Sequence, residues 1–206
     1  MKITRCIGVA MLIAVVGSPG DASAQPGLEI TPQVGAAFFF SDLPEQLAVS
    51  DTRVLEGAEF FDRALSLGLA AGLRVSDALA VEAAFSWHPV NLRADDGLRR
   101  SVDSQVWDYG VNGLFALPAL GSARPFVGLG VGRTTIEYGI ANSDNRPEWT
   151  AKVLAGLMIE ASERCAFRIQ VSDQAMRYAS GVTGVDDTWT NRLGVSFGLS
   201  MRPEVG

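Results

Sequence analysis

The chain predicts an all-β fold, an eight-stranded antiparallel up-and-down transmembrane β-barrel, and three features predict it. Apolar residues recur at every second position through eight separate stretches, the period of a strand with one greasy face. The positions between them are mostly Gly, Ala and Ser with sparse charge, a poor surface to show to water. The links between stretches alternate long and short, which suits a barrel with loops at one end and turns at the other. No helical period competes over a comparable length, and no run of 18 apolar residues offers a spanning helix.

Residues 1–24 stand apart from this pattern. Lys2 and Arg5 make a basic start, Cys6 to Val16 an apolar core too short to cross a bilayer, and Ala22-Ser23-Ala24 a small-residue cleavage site. A signal peptide is therefore expected over 1–24 and the barrel domain over 25–206. Cys6 opens the apolar core rather than following it, so it is no lipoprotein acylation site. The mature chain would keep only Cys165, which excludes an intramolecular disulfide or a cysteine metal site. Without Lys2, Arg5 and Asp21 the 17 basic and 23 acidic residues fall to 15 and 22, near −7. Such a chain is a poor polyanion binder, and no nucleic-acid partner is expected.

The first strand carries Leu28, Ile30, Val34, Ala36 and Phe38 on one face, although Pro32 removes a ladder donor within it. Ser41 to Phe61 follows as a long polar segment. Its Leu43, Leu47, Val49, Val54 and Leu55 suit a short helix over the barrel mouth somewhat better than a partner contact. The second strand, from about Asp62 to Val75, presents Leu65, Leu67, Leu69, Ala71 and Leu73, and Ser76-Asp77-Ala78 turns it into the third, Leu79 to His88. Arg93 to Ser104 is expected as a loop, and the fourth strand runs from Trp107 to Leu117. Pro118 to Ala123 leads to Arg124-Pro125-Phe126-Val127-Gly128-Leu129-Gly130-Val131-Gly132, apolar on one side and bare backbone on the other. Its glycines resemble a dinucleotide loop, but that fingerprint needs a helix after them, and Thr134, Thr135 and Ile136 continue a strand. Beyond a loop over 139–147 come a sixth strand to Glu160, a turn over 161–164 and a seventh from Cys165 to Ser172. Gln174 to Thr188 is expected as the last long loop before the eighth strand, which ends at Met201.

Alternation alone fits a soluble barrel too, whose apolar row points inward. The tryptophans favour a membrane. Trp87 ends the third strand, while Trp107, Trp149 and Trp189 begin the fourth, sixth and eighth, so all four sit at the loop-bearing rim on the apolar register. An aromatic girdle belongs at that level, between lipid and water. Phe115 and Phe167 would start the opposite girdle. Glu29, Glu82, Asp108 and Glu160 then face inward with Arg74, Lys152, Arg168 and Arg192. Eight strands enclose a lumen just wide enough for side chains to fill, so these charges are expected to pair as a plug.

With eight strands, the leader, the run Pro125 to Gly132 and the closing alternation from Leu193 to Met201, the whole mature chain resembles the OmpA/OmpX-like family of eight-stranded outer-membrane β-barrels. The resemblance implies the outer membrane of a Gram-negative (diderm) bacterium. It also implies outer-membrane lipid, lipopolysaccharide and the assembly machinery as partners, with long loops outside and both chain ends in the periplasm. Members include structural barrels, adhesins and serum-resistance factors. Such barrels usually end on an aromatic residue, whereas Arg202 to Gly206 follow Met201 here, and no peptidoglycan-binding domain is expected.

His88 is the one histidine, with Ser86 two residues earlier on the same face and Asp108 on the next strand. Lipid A deacylases of barrel form carry His-x-Ser in the opposite order and facing lipid. A lumenal Ser-x-His does not reach an acyl chain, so no catalytic set is expected, nor a metal site or cofactor. The reading is an envelope-structural or surface-interaction barrel with a plugged lumen, acting through its long loops. The alternatives are a lipid A-modifying enzyme and a small-solute channel. Export with cleavage after Ala24 predicts an intact mass starting at Gln25 for protein purified from membranes; a mass retaining Met1 would contradict it.

Overall fold

A computed structural model describes residues 27–39, 46–50, 53–56, 59–60, 63–94, 100–138, 147–178 and 188–203. The alternating stretches form eight long strands: β1 (Leu28–Phe39), β2 (Arg63–Arg74), β3 (Leu79–Ala94), β4 (Arg100–Ala116), β5 (Ala123–Tyr138), β6 (Pro147–Glu160), β7 (Cys165–Tyr178) and β8 (Thr188–Met201). Each pairs antiparallel with its neighbours in sequence, and β1 pairs with β8 to close the ring. Closure leaves no sheet edge within the wall, and in hydrocarbon an unpaired edge would leave peptide groups unsatisfied.

The seam between β1 and β8 carries the one awkward residue. Ile30 faces Met201 and Gln33 faces Gly198, but the ladder toward β8 is interrupted at Thr31 and Pro32. Pro32 has no N–H to give there. The Thr31 and Ser200 hydroxyls, both buried in the lumen, bridge the gap at 2.8 Å.

Two of the three short turns repeat one device. Ser76 Oγ accepts from the amides of Ala78 and Leu79, and Ser162 Oγ accepts from those of Arg164 and Cys165, a side chain standing in for backbone in a tight reversal. The third, between β4 and β5, instead takes Gly121 at φ +67°, which glycine adopts without steric cost.

Burial is inverted relative to a soluble protein. Leu129 is 70% exposed, Val131 65%, and the rest of the outward row (Val34, Leu65, Leu69, Val111, Val153, Phe167, Phe197) lies open as well. Inward, Thr31, Glu82, Asp108, Asn112, Arg168, Gln174 and Arg192 are buried. Exposed large apolar surface of this extent marks contact with membrane. It also rules out the soluble barrel, whose apolar row points inward.

Several boundaries differ from the sequence reading. Trp87 does not end β3, nor does Trp107 begin β4. The two strands stay in register beyond the facing pair Trp87 and Trp107, out to Ala94 opposite Arg100. The expected loop Arg93–Ser104 is thus largely hairpin. Likewise β7 extends to Tyr178, past the expected loop start at Gln174. No helix appears among the described residues of 41–61. Gln46–Ser50 pairs with Arg53–Glu56, and Glu59–Phe60 adds to β3 at Leu92 and Arg93. In each case the ladder supplies backbone hydrogen bonds that the polar side chains of these segments do not reveal.

Candidate functional site

The lumen is where side-chain chemistry is concentrated, and it is layered along the barrel axis. At the turn end Glu29 faces Arg74 at 3.9 Å and Arg202 at 3.4 Å, and Arg202 also reaches Glu160 at 3.7 Å. Glu160 is therefore a rim residue, more exposed than the other predicted lumenal charges, because β6 ends there. Arg202, set aside in the sequence as part of a tail, joins the two rim carboxylates.

Above the rim lies an apolar layer of Leu114, Phe126 and Leu154, with Ala80 and Met158 against it. Phe126 is seated over Gly156, where an added Cβ would come within 2.4 Å of its ring. The Arg168 guanidinium lies 4.8 Å from the same ring, a cation over an aromatic face.

Two ion-pair networks occupy the middle. Glu82 on β3 receives Arg168 of β7 through two bonds, at 2.6 and 3.1 Å, and the Asn112 amide at 2.9 Å. Arg168 also donates to Gln170 Oε1. Asp108 on β4 accepts from Arg192 of β8, Thr134 of β5, Gln174 of β7 at 3.2 Å, and Ser86 and His88 of β3 at 3.2 and 2.8 Å. One carboxylate thus ties together five strands. β3 and β7, like β4 and β8, stand four places apart in a ring of eight, so both ion pairs span the lumen's diameter. Gly130 makes room for the first network: a Cβ there would meet Asn112 Oδ1 at 2.1 Å.

Lys152, the eighth predicted charge, lies between the networks, coupled through space to both Asp108 and Glu82. It is left outside the ion pairs formed by Arg168 and Arg192. Toward the loop end, Val90, Val106, Ile136, Tyr138 and Met176 are again buried on the inward register. Apolar layers therefore flank the charged middle on both sides.

His88, Ser86 and Asp108 meet, but not as a proton relay. Ser86 Oγ and Asp108 Oδ2 both address His88 Nε2, at 3.2 and 2.8 Å, while Nδ1 is buried without a partner among the described residues. A nucleophile–base–acid relay needs its hydroxyl and its carboxylate on opposite ring nitrogens. No metal-holding cluster of His, Cys, Asp or Glu occurs among the described residues.

On the outer wall, Trp87 and Trp107 face each other with ring centroids 6.0 Å apart, and Trp87 Nε1 donates to Gln105 at 3.1 Å. Trp149 and Trp189 are each 65% exposed. Arg133 lies over Trp149 at 4.5 Å, and Arg177 stands opposite Trp189 across β7 and β8.

Residues 7–200 match the family model described as the outer membrane protein beta-barrel domain. The chain belongs to that family. Among solved structures it is similar to Neisserial surface protein A (NspA), at 10% identity and TM-score 0.63 over 85% of this chain and 97% of that one. It is also similar to OprG from Pseudomonas aeruginosa, at 16% identity and TM-score 0.56 over 87% and 97%, and to the E. coli outer membrane protein W, at 17% and 0.50 over 87% and 100%. No curated protein sequence matches. Identities this low carry the fold alone, and the fold is that of an eight-stranded barrel of the Gram-negative outer membrane.

Gln174 reads from the sequence as the start of a loop, whereas Asn112, Thr134 and Gln170, neutral members of the two networks, were legible only as positions on the inward register. Phe126 has the same signal, standing two residues before Gly128. Removing one partner of a buried pair strands the other, so Glu82→Ala or Arg168→Ala alone is predicted to cost about 3–5 kcal/mol. Glu82→Leu with Arg168→Met is predicted to cost less than the two single losses together, measured by urea unfolding of the refolded barrel. Single variants as stable as the wild type would contradict the pairing.

Proposed function

We propose that this chain is a non-conducting, non-enzymatic outer-membrane barrel with an envelope-structural or surface-interaction role, exposing its loop end to the outside. The observation that carries this reading is the pair of ion bridges spanning the lumen, Glu82 with Arg168 and Asp108 with Arg192, between two buried apolar layers. An ion crossing such a lumen would have to displace paired charges and then pass surfaces that cannot solvate it. In this reading the lumenal charges hold the cylinder together, and the loop end makes the outside contacts.

The β3–β4 hairpin supports that second role. It continues past the tryptophan level to Ala94 and Arg100 and gains a third, short strand at its edge, a rigid stem for displaying loops. Trp149 with Arg133, and Trp189 opposite Arg177, suit an interface where rings lie between lipid and water and guanidinium groups meet lipopolysaccharide phosphates. The other partner is the outer-membrane assembly machinery, reached after export on the leader of residues 1–24. Protein reconstituted in planar bilayers is predicted to give no discrete conductance steps. Regular unitary steps that persist after repurification would instead favour the small-solute channel.

A further inference from the structure

Between the two ion-pair networks and the β1–β2 wall lies a small central recess, with about 50 Å³ of space for the centre of a water-sized sphere. Its lining is one-sided in charge. Lys152, Arg192 and His88 reach it with Gln33, Gln170 and Gln174 and the serines 66, 86, 172 and 196, and no carboxylate lines it. Glu82 lines the cavity at the turn end, and Asp108 lines a neighbouring one that it shares with Lys152, Ser86 and Gln174.

The amides point the same way. Gln170 Oε1 accepts from Arg168 and Gln33 Oε1 accepts from Ser196 Oγ at 3.5 Å. With their acceptor oxygens engaged, these two side chains have N–H donors left over. The charge count agrees: two buried carboxylates, Glu82 and Asp108, are already bridged by Arg168 and Arg192. Lys152 is then one cation in excess, half-buried against a polar hollow. A cation in the lumen whose neighbouring carboxylates are already bridged by other cations is costly to hold charged.

We infer that this recess is a binding site for a small inorganic anion of the halide class, held by Lys152 and the surrounding N–H and O–H donors. Donors converging from β1, β2, β6, β7 and β8 suit a compact, roughly spherical acceptor, and the anion neutralises the surplus cation within the lumen.

The test compares refolded full-length protein in sodium bromide and in sodium gluconate at one ionic strength, gluconate being too bulky for the site. Bromide is predicted to raise the unfolding midpoint of the wild type by about 3 °C, the linkage expected of a ligand that binds only the folded state. Lys152→Gln, which removes the surplus charge, abolishes that rise. No rise in the wild type, or an equal rise in both proteins, overturns the inference. A second arm needs no variant: wild-type crystals grown in bromide are predicted to show an anomalous peak within hydrogen-bonding reach of Lys152 Nζ. An empty recess there would overturn the inference equally.

Discussion

Inside hydrocarbon a peptide N–H has no water to turn to, and each one left unpaired costs several kcal/mol. Much of this molecule answers that constraint. The ladder runs around all eight strands and meets itself at the β1–β8 seam. Where Pro32 interrupts it, the paired hydroxyls of Thr31 and Ser200 fill the breach from the lumenal side. A closed ladder of eight strands in turn fixes a narrow lumen, and a narrow lumen brings opposite strands within a side chain's reach.

That reach explains the two diametric ion pairs. Glu82 and Arg168 belong to β3 and β7, and Asp108 and Arg192 to β4 and β8. Neighbouring strands are already held by the backbone, whereas opposite walls have only side chains to join them. Asp108, bonded to residues of four other strands, braces the cylinder against flattening. The glycines opposite these side chains leave the volume that long arginines and glutamines then fill. Small and large inward residues are thus two halves of one packing solution, as Gly130 with Asn112 and Gly156 with Phe126 illustrate.

Much of this was legible in the order of residues because a strand's period of two is a strong signal wherever one face meets lipid. Val127, Leu129 and Val131 announced the outer wall, and Gly128, Gly130 and Gly132 its inner side. The signal fades beyond the tryptophans, where the outer face is no longer an apolar row. There Arg93 to Ser104 reads as a loop although its ends stay in the ladder. The last residues of β7 escaped because their outward row is Asp173, Ala175 and Arg177 and their inward row opens with Gln174, so the apolar alternation stops while the ladder continues. Inside, parity assigned Glu82, Asp108, Lys152, Arg168 and Arg192 to the lumen, but parity does not say which acid meets which base. Arg202 escaped because it follows Met201, the last residue of the alternating apolar row, where the register carries no information.

The central claim is that the row through Leu129 faces hydrocarbon while its neighbours face a filled, charged interior. A nitroxide at Leu129→Cys, in a Cys165→Ser background reconstituted in bilayers, tests it most directly. The account predicts that collisions with dissolved oxygen, which concentrates in lipid, far exceed those with a water-soluble nickel chelate. The opposite ranking would mean that this face meets water, and the polarity assigned to the whole cylinder would be reversed.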